Sequence, residues 1–427
     1  MKTLPKSCFI PFETTRNDNC NIIWINHAYC HENNINVDDF IKHLEEEYFY
    51  VTDEYTTKSR QNLNDKKIFY ADCYGSRYQA ANGGSARCGY DGKYQVKGIG
   101  RTPLCAENID IHHSTGKLTL SDACLEAIWG EICNIYFPFG SVRTLAVIST
   151  GELLSTDYNI GLESIQECAL TIREFFIRPA HLERNVFFRP SRGWESLIEY
   201  ESTRVLDAQK KVLLSNGEDK SQAVLDGFKL KLAEVISFSR LACIPHGSIT
   251  SSNICLNGKV IDFGTMTSVP GYKNYVIARG QRGTWDEDVE ISRWLRHVTD
   301  GIIRNDFSIR HFSSEDFSTS IATKGAEVIS RLFCVGDLIK AKNIYDDIAS
   351  YGKTIRIPFC GEWDDHLLNY LEELGKSYDV HLDHNNLNLR KEHLTQENIK
   401  NFLFDALNKR RKNSNIQYEM DFFISQI

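Results

Sequence analysis

His246 and Asn253 are separated by six residues in the stretch HGSITSSNICLNGKVIDFG, and Asp262 follows nine positions after the asparagine. A carboxamide oxygen and a carboxylate are hard ligands suited to Mg2+, and an ion held between them can bridge phosphate oxygens. Upstream, Lys97 closes the alternating run YQVK. An ammonium there can hold phosphate oxygens if a carboxylate fixes it, and Glu126, in SDACLEAIWGEICNIY, is the candidate carboxylate. Taken alone, Glu126 reads as an exposed helix glutamate; the order of glycine loop, Lys97 and helix reverses that reading. The run NGGSAR at 82–87 contains Gly84 and Ser85. Glycines there let backbone N–H groups approach phosphates, although such a cluster is also an ordinary tight turn. Arg178 and Arg184 bracket RPAHLER, and guanidinium forks suit phosphate oxygens. Two arginines near a strand end are also ordinary surface residues. The loop holds no carboxylate base: Ser248 stands two residues after the histidine, and Ser252 directly precedes the asparagine.

These residues need elements to position them. Asp91-Gly92 is a hairpin signal, followed by the alternating Tyr94-Gln95-Val96-Lys97. The spacing of apolar residues at 124, 125, 128, 129 and 132 predicts a helix over 121–136, with Ser121 as N-cap. Strands are predicted at 141–150 and 167–178, and beyond about 185 the pattern is mainly helical, broken by the 244–270 loop and strand region. Residues 17–40, rich in Asn, Ile and Asp, read as a peripheral segment. The order is glycine loop, lysine strand, helix with a glutamate, two strands, helices, then an asparagine loop and Asp-Phe-Gly. It predicts an α+β, bilobal, protein-kinase-like fold with a mainly sheet N-lobe and a mainly helical C-lobe. The expected divisions are an N-terminal segment at 1–67, a nucleotide-binding N-lobe at 68–180, and a helical C-lobe at 181–427.

Composition bounds the partners. Of 427 residues, 49 are Lys or Arg and 57 Asp or Glu, a net charge of −8, which argues against a nucleic-acid binder that relies on a broad basic surface. The run KRRK at 409–412 reads as a solvated helix end. No apolar run reaches the roughly 18–20 residues that span a bilayer, so no membrane insertion is expected. Pro11 and Glu13 break any signal-peptide core. Thirteen cysteines without a C-x-x-C pair suit reduced thiols, and a cytoplasmic location is expected.

QVKGIGRTPL resembles the Q-L-K-G-x-G-R-T-P-Y segment of the selenoprotein O family, kinase-fold protein adenylyltransferases. FPFGSVRTLAVISTGE, RPAHLERNVFF and HGSITSSNICLNGKVIDFG are similar to further segments of that family, and YADCYGSRYQAANGGSA resembles a degraded form of its glycine-loop stretch. The resemblance spans about residues 68–300. It implies ATP bound in a flipped orientation, with transfer of AMP. It places the nucleotide lysine at Lys97, its carboxylate at Glu126, phosphate arginines at Arg178 and Arg184, and Mg2+ ligands at Asn253 and Asp262. Gly84 matches a phosphate-loop glycine and Gly116 a glycine near the nucleotide, while Ser85 occupies the place of a loop arginine in the nucleotide-binding set. Ser252 replaces the aspartate that the family uses as proton acceptor, and Thr115 replaces another aspartate.

Loss of the base has a chemical meaning. A hydroxyl acceptor, with pKa of roughly 10 or more, benefits from a base, whereas a carboxylate is already ionised at pH 7. The chain also resembles the shorter maturation proteins of siderophore-bearing microcins. That likeness implies activation of a peptide C-terminal carboxylate for joining to a glucosylated catecholate siderophore, with a small acyltransferase-like partner subunit. Two alternatives stay open: AMPylation of Ser, Thr or Tyr hydroxyls on a protein acceptor, and a nucleotide-binding pseudoenzyme scaffold.

Overall fold

A computed structural model describes residues 4–55, 61–75, 81–107, 114–155, 165–215, 218–277, 280–354, 356–358, 366–382, 391–410 and 415–426. Residues 76–80 of the glycine-loop stretch and 411–412 of the basic run lie outside these. The chain forms two compact units. The first comprises Met1–Glu131, Val142–Gly217 and Leu403–Phe423; the second comprises Ile132–Ser141, Glu218–Phe402 and Ile424–Ile427.

The first unit is built on an eight-stranded, wholly antiparallel sheet. Its strands are β1 (Phe9–Asn17), β2 (Asn21–Ile25), β3 (Tyr50–Val51), β4 (Gln61–Asp72), β5 (Cys88–Tyr90), β6 (Tyr94–Lys97), β7 (Thr144–Ser155) and β8 (Ile165–Glu174), in the order β2-β7-β8-β6-β5-β4-β1-β3. Residues 17–40 are therefore not peripheral: β2 pairs with β7, and helices α1 (His27–Glu32) and α2 (Val37–Glu47) follow it. The unit also runs past the expected boundary at 180, taking in α4 (Ser196–Glu199) and α5 (Glu201–Leu213), and regains the chain at 403–423.

Side-chain alternation divides the sheet chemically. Phe69 and Ala71 on β4, Tyr94 and Val96 on β6, and Leu170 and Ile172 on β8 join Phe40, Leu44 and Tyr48 in one buried apolar cluster. Burying each large side chain contributes about 1.5–3 kcal/mol. The intervening residues, Asp72, Gln95, Lys97, Thr171 and Arg173, are all buried too, and they point to the opposite face. That face carries the polar chemistry.

Helix α3 (Leu120–Tyr136) lies between β6 and β7 in the chain. Cys124, Leu125, Ile128, Trp129 and Ile132 are buried, as their spacing predicts. Its N-cap is Thr119, whose hydroxyl accepts from the Asp122 N–H at 3.1 Å; Ser121, the expected cap, donates to Gln166 instead. Arg143 anchors the helix through a two-pronged ion pair with Glu131, at 2.7 and 2.6 Å.

The second unit is mainly helical: α6 (Ser221–Leu241), α7 (Glu287–Ile303), α8 (Ser314–Leu332), α9 (Leu338–Thr354) and α10 (His366–Tyr378), with the start of α11 (Gln396–Arg410). The last helix, α12 (Ile416–Gln426), belongs mostly to the first unit. Between α6 and α7 the chain makes the 244–270 loop, pinned where the Trp294 indole N–H donates to the Ile249 carbonyl at 3.2 Å.

Candidate functional site

In the first unit, Lys97 at the end of β6 donates directly to the Glu126 carboxylate on α3. Both side chains are more than nine-tenths buried. The hairpin forms because Asp91 Oδ1 accepts from the Lys93 and Tyr94 N–H groups, which closes the turn and sets Lys97 opposite Cys88; on the other side β6 pairs with β8 and places Lys97 opposite Thr171. The Thr171 hydroxyl, paired with Lys97 across β6 and β8, is buried with no hydrogen-bond partner among the described residues.

Sequence reasoning did not single out the polar network that adjoins this pair. Arg173 Nη1 lies 4.0 Å from Glu126 Oε2, and its Nε donates to Gln95 Oε1 at 2.9 Å. The Gln95 amide donates to Asp72 Oδ1 at 2.9 Å, and Asp72 Oδ2 meets His181 Nε2 at 2.9 Å. The Arg178 backbone N–H donates to His181 Nδ1 at 3.0 Å, so the ring is neutral with its proton on Nε2, donated to Asp72. The available signal was faint: charged residues at alternate positions in otherwise apolar strands, as in ALTIRE and IFYAD.

Burial opposes ionisation of Asp72, but the His181 hydrogen bond and the Arg178 charge outweigh it and hold the carboxyl below its ordinary value. Burial, reinforced by Arg178 and Arg204, pushes the His181 pKa below 6.5 despite Asp72. The sign follows. The unfolded chain takes up a proton on His181 near pH 6.5, while the folded one does so only at lower pH, so stability falls as pH drops below 6.5. Asp72 adds a further loss below its unfolded value of 3.8. A glutamine at 181 can mimic the neutral ring. His181→Gln is expected to flatten the stability profile between pH 6.5 and 5.5 by up to about 1.4 kcal/mol per pH unit, read from urea midpoints. Parallel profiles for the two proteins would refute the assignment.

The remaining expected positions in this unit fall as follows. Gly84 (φ 141°) bridges to Cys73, and a Cβ there would overlap the Asp72 carbonyl oxygen, so packing against β4 already demands glycine. Ser85 is buried, and its hydroxyl makes no hydrogen bond to a described residue. Gly116 (φ 67°) packs on the Gly100 backbone so closely that a Cβ would overlap it. Gly100, in the K-G-x-G-R-T-P run, has φ 108°, and a Cβ there would overlap the Thr52 side chain. The Arg178 guanidinium is buried, 4.2 Å from the Tyr74 ring centroid and 4.5 Å from that of Phe176. Arg184 is exposed.

In the second unit, His246, Asn253 and Asp262 share one loop. Buried His246 contacts the Ile261 carbonyl through Nε2 at 2.9 Å, and its own carbonyl accepts from the Thr265 hydroxyl at 2.8 Å. The Asn253 amide donates to the Ser248 carbonyl at 3.0 Å, which holds the carboxamide in place. Ser252, fully buried, contacts Thr250 Oγ1 at 2.9 Å and donates to Asn253 Oδ1 at 3.4 Å. Ile254 pairs with Val260 across the Asn257-Gly258 turn, and the Ile261 N–H donates to the Asn253 carbonyl at 3.3 Å. This hairpin closes the nine-residue gap between the asparagine and the aspartate. Asp262 has φ 67°, a left-handed conformation that costs most non-glycine residues about 1–2 kcal/mol and that aspartate tolerates better than they do.

Among the described residues, no three His, Cys, Asp or Glu side chains gather into a metal cluster. Asn253 and Asp262 carry hard oxygen donors on residues that flank this hairpin. That chemistry fits Mg2+, which takes few protein ligands and completes its octahedron with water and phosphate oxygens. No protein-family model matches this chain, and no curated protein matches it significantly.

Proposed function

We propose that the chain is an ATP- and Mg2+-dependent nucleotidyltransferase with a bilobal, protein-kinase-like fold of the selenoprotein O type. The observation that carries this reading is the buried Lys97–Glu126 ion pair between a strand and the following helix. A lysine fixed in this way is pre-aimed at phosphate oxygens. The loop in which Ile261, the residue before Asp262, donates its N–H to the Asn253 carbonyl supports the metal half of the same reading. Lys97 would hold phosphate oxygens, Asn253 and Asp262 would hold the metal, and exposed Arg184 is a further phosphate ligand. The ion supplies charge neutralisation on the phosphates.

The acceptor we assign is a carboxylate, on a peptide C-terminus. Its oxygen attacks the α-phosphorus, the bond to the bridging α,β-oxygen breaks, and pyrophosphate leaves. The acyl group then passes from AMP to a hydroxyl, whose proton goes to solvent. In siderophore-microcin maturation that hydroxyl belongs to a glucosylated catecholate held by an acyltransferase-like partner. Ser252 is what favours a carboxylate over a hydroxyl: it is buried, bonded to Thr250 and Asn253, and provides no base.

The test is product analysis with ATP, Mg2+, a serine-ended peptide and hydroxylamine, with and without the partner subunit. Peptide hydroxamate together with AMP and pyrophosphate is the expected result. AMP attached to protein would mean a hydroxyl acceptor. ADP as the sole nucleotide product would mean phosphoryl transfer. Tight ATP binding without turnover would mean a scaffold.

A further inference from the structure

We propose that Arg173 is a positioning residue for Lys97, and that Lys97, Glu126 and Arg173 act as one anion-attracting cluster. The inference rests on the nucleotide-binding reading of Lys97 and extends it to a residue which that reading does not use. The Glu126 carboxylate has two oxygens. Oε1 accepts from Lys97, and Oε2 faces Arg173 Nη1 at 4.0 Å. A carboxylate held from one side can rotate and carry the lysine with it. Held from both sides, it presents the ammonium in one direction.

Arg173 cannot drift away from this place. Its Nε donates to Gln95 at 2.9 Å, its Nη2 donates to Cys88 Sγ at 3.5 Å, and its guanidinium carbon sits 5.2 Å from the Phe176 ring centroid. Gln95 is tied in turn to Asp72. The register explains the arrangement: Gln95 pairs directly with Arg173 and Lys97 with Thr171, so all four side chains project from one face of β6 and β8.

The charge count gives the cluster its function. Lys97, Arg173 and Arg178 stand against the Glu126 and Asp72 carboxylates, three cations to two anions, and the Lys97, Glu126 and Arg173 side chains are all more than nine-tenths buried. A buried excess positive charge is costly in low dielectric and is relieved by an anion. Glu126 alone would neutralise Lys97 and weaken its hold on phosphate. Arg173 restores the net charge, and the ligand this favours is polyanionic, such as the phosphate chain of a nucleoside triphosphate.

Calorimetric titration of the full-length wild type and of Arg173→Met, Arg173→Lys and Gln95→Leu tests this, with Mg-ATP, AMP, adenosine and inorganic tripolyphosphate as probes. Arg173→Met is expected to weaken Mg-ATP and tripolyphosphate by about 10- to 100-fold and to leave adenosine unchanged. Arg173→Lys should recover most of that loss because it keeps the charge. Gln95→Leu should fall between, because it cuts the tether alone. Mg-ATP binding by Arg173→Met within about twofold of wild type, or an equal loss for adenosine, overturns the inference. If Arg173→Met does not fold, the lysine and leucine variants decide: wild-type triphosphate affinity in both overturns it. Wild type that binds tripolyphosphate in an Arg173-dependent way, but ATP no more tightly, defeats the nucleotide reading and leaves the cluster standing. Wild type that binds neither defeats both.

Discussion

Asp262→Asn is expected to abolish the thermal stabilisation that Mg-ATP gives the wild-type protein while leaving the ligand-free melting temperature unchanged. A ligand present at 100 times its dissociation constant stabilises the folded state by about 2.7 kcal/mol, and that whole increment should vanish. Asparagine is the better substitution here because Asp262 sits at φ 67°. Asparagine tolerates the left-handed conformation as aspartate does, whereas alanine adds a backbone cost of about 1 kcal/mol. Asp262→Ala should therefore lose the Mg-ATP shift and also melt lower on its own. Chelating the magnesium in wild-type samples should reproduce the asparagine result. Equal Mg-ATP stabilisation of wild type and both variants would remove Asp262 from the metal site.

Much of this site could be read from local sequence because its parts are local. The α3 helix follows from apolar spacing, and all five of its predicted core positions are buried. The hairpin that carries Lys97 follows from Asp91, whose carboxylate closes the turn within three residues. Lys97 and Glu126 are 29 residues apart, yet one helix and one strand connect them, so element order sufficed. The observed helix cap lies two residues before the expected one because Thr119 and Ser121 both carry the needed hydroxyl, and only three-dimensional geometry chooses between them.

What escaped was everything that depends on distant pairing. His181 and Asp72 lie 109 positions apart, and neither residue type nor period links them. β1 escaped because FIPFETTRN contains Pro11 and ends in a polar run, and β2 because NIIWI is a short segment in an Asn-rich stretch. Their stability comes from β1 pairing along β4 and from β2 pairing with β7, long-range partners that override local propensity. The Gly84 and Gly116 glycines illustrate the same limit. Sequence suggests a phosphate approach, while each sits so close to another backbone that packing alone demands glycine. Arg178 reads as a fork near a strand end, but Tyr74 and Phe176 enclose it.

Ser252→Asp separates the two kinds of acceptor by the sign of its effect. The serine is fully buried, contacts Thr250 Oγ1 at 2.9 Å and donates to Asn253 Oδ1 at 3.4 Å. An aspartate there keeps the Thr250 partner as a donor but places a negative charge beside the Asn253 oxygen. For a carboxylate acceptor that charge repels the incoming nucleophile. At a separation of 5–6 Å and an effective dielectric of about 20 the repulsion is on the order of 3 kcal/mol, so acyl transfer should slow by roughly 10²-fold. For a hydroxyl acceptor the same carboxylate is a base, and positioned bases contribute about 10²- to 10⁴-fold. The measurement is the rate of peptide hydroxamate formation beside the rate of AMP incorporation into protein, at saturating Mg-ATP, for wild type and variant. Our reading expects hydroxamate formation to drop and protein labelling to stay at background. A large gain in labelling with undiminished hydroxamate formation would show that the loop was built for hydroxyls and lost its base without changing its substrate. Asp262→Asn serves as the internal control, because it should silence both reactions whichever acceptor is correct.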